Sequence, residues 1–337
     1  MTIQAFCAYF NPLFAAYLRG KMDDVILQTA EAETLGPLIH FSLELSAAGD
    51  RLGAYMAYTA YTLTQKKDDT IILPVLFALE LFRVFTVVHD DIADDSQMRH
   101  GKSTIHAQFS KSQAILLGDL YYMFAVQTIH EAPVSLQAKT LFLKMCRDVV
   151  VGQMHDVALV RRDPVMVTEE VLNRVIEMKS ARTIFCYPVA IGLAVAGHSS
   201  LLLAARCCGS KIGHAFQRLD DLSDVIMTDN ELGTHQCADI HHGTHTHLSR
   251  HMHTFAPSDE LSVFGRYFGK RRKAEDLEPL VRAMHAAGAI AAEKQSIARI
   301  LDEAEELSNI LFSEPEIKKM WHGVILMVRN QLYRLSL

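Results

Sequence analysis

Four aspartates crowd the stretch VVHDDIADDSQMRHGKST, where Asp90, Asp91, Asp94 and Asp95 follow an apolar run and Arg99, His100 and Lys102 come just after. Like charges at that density repel, so a cation between them and a partner is the first chemistry they suggest. Residues four apart share a helix face, which projects Asp90 and Asp94 together with Asp91 alongside. The same D-D-x-x-D spacing recurs at Asp220, Asp221 and Asp224 in HAFQRLDDLSDV. One such cluster is as readily a solvated helix end. Two, each closing a strongly apolar helical run, point to a shared cleft and an all-oxygen donor set for Mg²⁺, which keeps waters and shares its shell with phosphate. Zn²⁺ would want His and Cys instead. Arg99, Lys102 and Lys179, the last in VIEMKSARTIF, supply the cations that a diphosphate needs. Clamped in that way, a diphosphate becomes a good leaving group, because its developing charge is stabilised away from water.

The elements that must position these residues read as helices. HFSLELSAAGDRLGAYMAYTAYTL, LPVLFALELFRVFTVVHDDIADD and AILLGDLYYMFAVQTIHEA carry helix-period apolar spacing, and alternating strand patterns are scarce. Breaks fall at Pro133, Asp163-Pro164, Gly197 and Pro257. The expectation is an all-α bundle forming one domain over residues 1–337, with helices apolar nearly all round at its centre. A net charge of −6 with 21% charged residues leaves no footprint for nucleic acid. Cys7, Cys146, Cys186, Cys207, Cys208 and Cys237 form no CxxC pair and suit a reducing compartment. The apolar N-terminus lacks a basic leader region, and no charge-free run reaches the length of a membrane span, so a cytoplasmic location is expected.

With these motifs in place the chain resembles the trans-isoprenyl diphosphate synthase family, the polyprenyl synthetases. HDDIADDSQMRHGKSTIH resembles its first aspartate-rich segment, FQRLDDLSDV its second, and LGDLYY and GQMHDV its intervening helices, while Lys179-Ser180 stands at its Lys-Thr step. The resemblance implies a helical bundle around a central cavity, a homodimer, and three Mg²⁺ ions held by Asp90, Asp91, Asp94, Asp220, Asp221 and Asp224. It further implies Arg99, Lys179 and Gln217 on an allylic diphosphate, which ionises and is attacked by the double bond of isopentenyl diphosphate. Phe85, five residues before Asp90, resembles the aromatic that limits the prenyl chain to farnesyl or geranylgeranyl size, with Phe82 a turn behind it. An ordinary core role for both is equally consistent with their spacing.

The co-substrate half departs from the family pattern. Its G-G-K-R-L-R-P aligns with AGDRLGA, so Asp50 stands for a phosphate-binding Lys and Gly53 for an Arg; Arg83 replaces the His of E-x-x-H, and His100 the second Arg of Arg-Arg. Charge reversal at Asp50 alone should cost several kcal/mol, on the order of a thousandfold in affinity for isopentenyl diphosphate. Two later lysines align with Thr234 and Thr244, amid His235, His241, His242, His245, His247, His251 and His253. That segment reads as a solvated loop, with partly protonated histidines replacing the lysines as a sharper alternative. The expected activity is therefore a Mg²⁺-dependent terpene synthase that ionises an allylic prenyl diphosphate and lets the cation cyclise or rearrange. The alternatives are a prenyltransferase that elongates the allylic diphosphate or prenylates an unusual acceptor, and a non-catalytic partner subunit of another synthase.

Overall fold

The computed structural model describes residues 1–28, 32–63, 68–270 and 276–335. In chain order its helices are α1 (Ile3–Gln28), α2 (Ala32–Ala47), α3 (Leu52–Tyr61), α4 (Asp69–Ala93), α5 (Ile105–Gln108), α6 (Lys111–Glu131), α7 (Leu136–Leu159), α8 (Glu169–Ile176), α9 (Tyr187–Val195) and α10 (Leu202–Ile226). They continue with α11 (Asp229–Leu232), α12 (Ala238–His242), α13 (His247–Phe255), α14 (Ser258–Phe264), α15 (Glu278–Ala286), α16 (Ala289–Leu311) and α17 (Pro315–Arg334). A π-helical segment, Glu177–Cys186, joins α8 to α9, and the strands among the described residues are β1 (Met98–Arg99) and β2 (Lys102–Ser103). The all-α expectation is met.

The residues gather into two compact units, Met1–Leu143 with Pro188–Ser199, and Lys144–Tyr187 with Ser200–Leu337. In the first unit α4 is the central element and packs along α6. Asp68 caps α4 by accepting the Thr70 N–H at 3.0 Å, and Ile72, Val75, Leu76, Leu79 and Phe82 then bury one face at helical spacing. Gly192 of α9 allows a close backbone approach, since a Cβ there would lie 2.2 Å from the Ala57 carbonyl oxygen. α4 is also the described helix long and apolar enough to cross a membrane, but 56% of its most apolar window is buried inside the protein. It carries Glu80 and Arg83 within that length, as suits a core helix.

Those two charges anchor the unit. Glu80 Oε2 accepts from Arg51 Nη1 and Arg83 Nε, both at 2.8 Å, and Arg51 and Glu80 are each 1% exposed. Arg51 also donates to Asn11 and to the Ser46 and Ala47 carbonyls. Burial opposes the charge on Glu80, yet Arg83 and Arg51 outweigh it and hold its carboxyl below the usual range.

In the second unit α10 packs against the π segment and α16. Gly213 lets the backbone of Ala181 lie against α10, where a Cβ would sit 2.4 Å from Ala181 Cα. Arg218 and Glu293 form a bidentate pair at 2.6 Å that joins α10 to α16 with both side chains buried.

Removing one member of a buried ion pair leaves the other charge uncompensated. Glu80→Ala should therefore lose about 3–5 kcal/mol of stability, read from urea unfolding, while Arg51→Met combined with Glu80→Met should lose markedly less. Equal losses would show that the charges themselves are not what the unit depends on.

Candidate active site

The end of α4 presents the first aspartate cluster. Asp91 turns inward, 5% exposed, and accepts from Arg99 Nε at 2.8 Å; Asp90 and Asp94 are half-buried. Burial pushes the Asp91 carboxyl up to about 6, with Arg99 opposing the shift and Asp90 adding to it. Asp95 ends the helix in the left-handed region, φ 52°, and its carboxylate pairs with Lys111 at 3.0 Å. That arrangement separates it from the three D-D-x-x-D members.

Arg99 is held by a hairpin that helical reasoning did not foresee. Arg99 pairs with Lys102 across β1 and β2, and the two residues between them, His100 and Gly101, have φ of 52° and 74°. Positive φ at both loop positions is the type I′ turn, and histidine tolerates that region better than most side chains. His100 is thus compatible with the turn that places Arg99 against Asp91. Lys102 reaches Glu44 at 3.0 Å.

The four co-substrate positions that depart from the family pattern, Asp50, Gly53, Arg83 and His100, fall in this same unit, and three of them are neighbours. The Arg83 guanidinium lies 3.1 Å from where a Cβ of Gly49 would stand and donates from Nη2 to the Ala48 carbonyl at 3.2 Å. His100 lies near Arg83 and Asp50: burial lowers its pKa, Arg99 and Arg83 reinforce that, and Asp50 opposes it. Asp50 is exposed, with Oδ1 accepting the Leu52 N–H at 3.1 Å at the start of α3. Arg83 thus brings a guanidinium to the neighbourhood of Gly49, Asp50 and His100.

Phe85 is half-buried and lies at a tilt to Tyr122 and His89, with ring centroids 5.1 and 4.7 Å away, whereas Phe82 is fully buried. Tyr121 is a core residue that hydrogen-bonds Ser42 and Ser46.

The second unit holds the other group. A narrow pocket of about 70 Å³ brings together Lys179, Gln217 and Asp221 with Thr244, His245 and His247, all singled out in the sequence, and has Asp156 and Asp239 also in its wall. Lys179 Nζ donates to Asp156 Oδ2 at 2.7 Å. The lysine sits in the π segment, a distortion common at functional sites, against Gly152, where a Cβ would lie 2.7 Å from its backbone N. Gln217 accepts from Ser180 Oγ at 2.6 Å and donates to Asp221 Oδ1 at 2.8 Å, which orients the carboxylate. Burial raises the Asp221 carboxyl well above its usual range, with Gln217 opposing and Asp220 adding. Asp220 is exposed on the same helix. Asp224 accepts from the Ala238 and Asp239 N–H groups at 3.0 and 3.3 Å, so its carboxylate also caps α12. Among the described residues no three His, Cys, Asp or Glu side chains already converge on one point.

The histidine-rich segment differs from its expected character as a solvated loop. It forms α12 and α13, and aromatic neighbours order it: His253 packs edge-on to Phe264 and Phe268, and His245 lies 5.4 Å from Phe268. Burial lowers the pKa of His245, His247 and His253, that of His247 to about 3. Burial thus disfavours the charged form of these three, which makes them poor substitutes for the missing lysines as cations. Asp239 was missed as a site residue because it belongs to no D-D-x-x-D or basic motif, and His247 was named only as one member of the histidine-rich run; the fold of α12 and α13 brings both to the pocket.

Known proteins share this pattern and this fold. A polyprenyl synthetase family model matches residues 41–284, well over half of the chain. The chain belongs to the polyprenyl synthetase family. It is 29% identical over 259 residues to a geranylgeranyl diphosphate synthase of Saccharolobus solfataricus, covering 75% of this chain and 72% of that one. It is 32% identical over 212 residues to a short chain isoprenyl diphosphate synthase of Methanocaldococcus jannaschii, covering 61% and 63%. In fold it is similar to a geranylgeranyl pyrophosphate synthase of Corynebacterium glutamicum, solved with isoprenyl diphosphate and magnesium, at a TM-score of 0.84, 22% identity and coverage of 96% and 98%. The polyprenyl synthetase relatives are prenyl-transferring enzymes, and the terpene synthase expectation gives way to the prenyltransferase alternative.

The raised Asp91 carboxyl makes a pH-dependent prediction for metal-free protein. Its folded value of about 6 exceeds the unfolded value of about 3.9, so this group's contribution is fully present below about pH 4 and is lost as pH rises to about 6. Asp91→Asn should then melt at a higher temperature than wild type at pH 7, by roughly 1–3 kcal/mol of stability. Melting curves in chelator from pH 4 to 8 should show the difference opening between pH 4 and 6.

Proposed function

We propose that the protein is a Mg²⁺-dependent isoprenyl diphosphate synthase, which joins an allylic diphosphate to isopentenyl diphosphate and stops at farnesyl or geranylgeranyl size. The observation that carries this reading over the terpene synthase is the placement of Arg83. It sits beside Gly49 and Asp50 and near His100, where it can offer a co-substrate diphosphate the positive charge lost at positions 50 and 53. Arg83 keeps its own position through Glu80, so the guanidinium is pre-oriented before substrate arrives.

The donors fit Mg²⁺. They are carboxylate oxygens, and Asp91 and Asp221 are buried with too little positive charge to keep them readily ionised. In this reading Asp90, Asp91, Asp94, Asp220, Asp221 and Asp224 hold the ions, which when bound neutralise the diphosphate as it departs. Arg99, Lys179 and Gln217 bind the allylic diphosphate. The allylic C–O bond breaks, the isopentenyl double bond supplies the electron pair for the new C–C bond, and a proton is lost to restore a double bond. Phe85, backed by Phe82, closes the hydrocarbon pocket. A homodimer is supported by apolar side chains exposed at heptad spacing on α7, Leu136, Leu143, Val150 and Val157, and by Leu116 and Met123 on α6.

Incubation with Mg²⁺ and geranyl, farnesyl or geranylgeranyl diphosphate, each with and without isopentenyl diphosphate, tests the reading. Products one isoprene unit longer, formed only with the co-substrate, are expected. Hydrocarbon or alcohol released from the allylic diphosphate alone would restore the terpene synthase. Arg83→Ala should raise KM for isopentenyl diphosphate about ten- to a hundredfold with little change in KM for the allylic substrate, and Phe85→Ala should lengthen the product.

The dimer has its own test. Leu143→Glu with Val150→Glu should convert a dimer to monomer in size-exclusion chromatography with light scattering. Wild-type protein eluting as a monomer would dismiss the apolar stripe as an interface.

A further inference from the structure

His247 is the buried polar group in the second unit's pocket whose place in the structure is least satisfied. It is 8% exposed, and neither ring nitrogen has a hydrogen-bond partner. A buried imidazole in that condition costs stability, because both nitrogens have given up water for nothing in return. Its neighbours in the wall are otherwise engaged. Ser180 donates to Gln217, Gln217 to Asp221, Lys179 to Asp156, and His245 Nε2 lies 3.2 Å from the Arg162 carbonyl oxygen.

The pocket also lacks an expected cation. Thr244 stands where the resembling family has lysine, while Asp156, Asp221 and Asp239 all line the wall. An anionic ligand entering there must find N–H or O–H donors rather than a second ammonium group. His247 is the first residue of α13, whose capping box, Thr246 with Ser249, places the positive end of the helix at the same wall. A helix start disfavours a protonated imidazole and favours an oxyanion, so a neutral N–H donor is the form that suits this position.

We propose that His247 donates a neutral N–H hydrogen bond to a phosphate oxygen of the allylic diphosphate, in place of the lysine absent at position 244. This rests on the prenyl diphosphate reading above and adds to it a binding residue outside the aspartate and basic motifs. The imidazole's missing partner is supplied by the substrate. In the ligand-free protein the same group is a local defect, as expected where stability has been given up for binding.

The test measures Mg²⁺-dependent binding of inorganic diphosphate by titration calorimetry, together with thermal melting, for wild type, His247→Leu and His247→Asn. His247→Leu should bind roughly ten- to a hundredfold more weakly while melting higher than wild type. His247→Asn, which retains a donor, should recover part of the affinity, and it serves as the measurement if the leucine variant fails to fold. A purely structural histidine would lower or raise the melting temperature without this split between stability and affinity. Variants that all bind as wild type does would overturn the role of His247 and leave the synthase reading standing. Wild-type protein that binds no diphosphate with Mg²⁺ would overturn both.

Discussion

A carboxylate buried among apolar helices must find positive charge or hydrogen-bond donors, or else take up a proton, and much of this protein is arranged around that constraint. Asp91 and Asp221 both sit at the ends of long apolar helices with their carboxyls raised by burial. Each has one oriented donor, Arg99 Nε for Asp91 and Gln217 Nε2 for Asp221. One donor fixes direction without removing the deficit of positive charge. The result is a pair of pre-aimed carboxylates whose remaining demand is best met by a hard divalent cation.

The local structure around each carboxylate follows from holding that donor in place. A type I′ hairpin carries Arg99 back toward α4, and residues with positive φ, His100 and Gly101, make the reversal short. In the second unit, the π segment turns Ser180 to Gln217 of α10 and Lys179 to Asp156 of α7, and Gly152 and Gly213 allow the helices to close on it. Where both charges are buried in the core, the pairing is complete: Arg51 meets Glu80, and Arg218 meets Glu293 with two bonds. The core pairs are matched charge for charge, whereas burial still raises the carboxyls of Asp91 and Asp221.

The departures from the family pattern take on a different meaning in three dimensions. Read one by one, Asp50, Gly53, Arg83 and His100 remove positive charge from a phosphate site. In the folded unit Arg83 stands beside Asp50, near His100, and Asp50 has an N–H of α3 to itself. The loss is therefore a relocation of charge in part. The same logic applies to the threonine at position 244, where the nearby His247 offers a donor without a charge.

Much of the site was legible in the chain because its signals are local. The D-D-x-x-D clusters and the all-helical periodicity depend on spacing within one or two turns, and helix geometry converts that spacing directly into a shared face; Gln217 was legible only through the family resemblance, and Lys179 through it and its charge. The hairpin at Arg99 was not legible, since two-residue strands carry no periodicity. Nor were the aromatic contacts that turn a histidine-rich run into two ordered helices, because Phe264 and Phe268 lie beyond it in sequence. Local spacing alone specifies which carboxylates share a helix face and on which helices they ride. Packing between distant segments sets which carboxylates are desolvated, which cations are already engaged, and that burial disfavours a charge on His247, because burial and protonation depend on neighbours from distant parts of the chain.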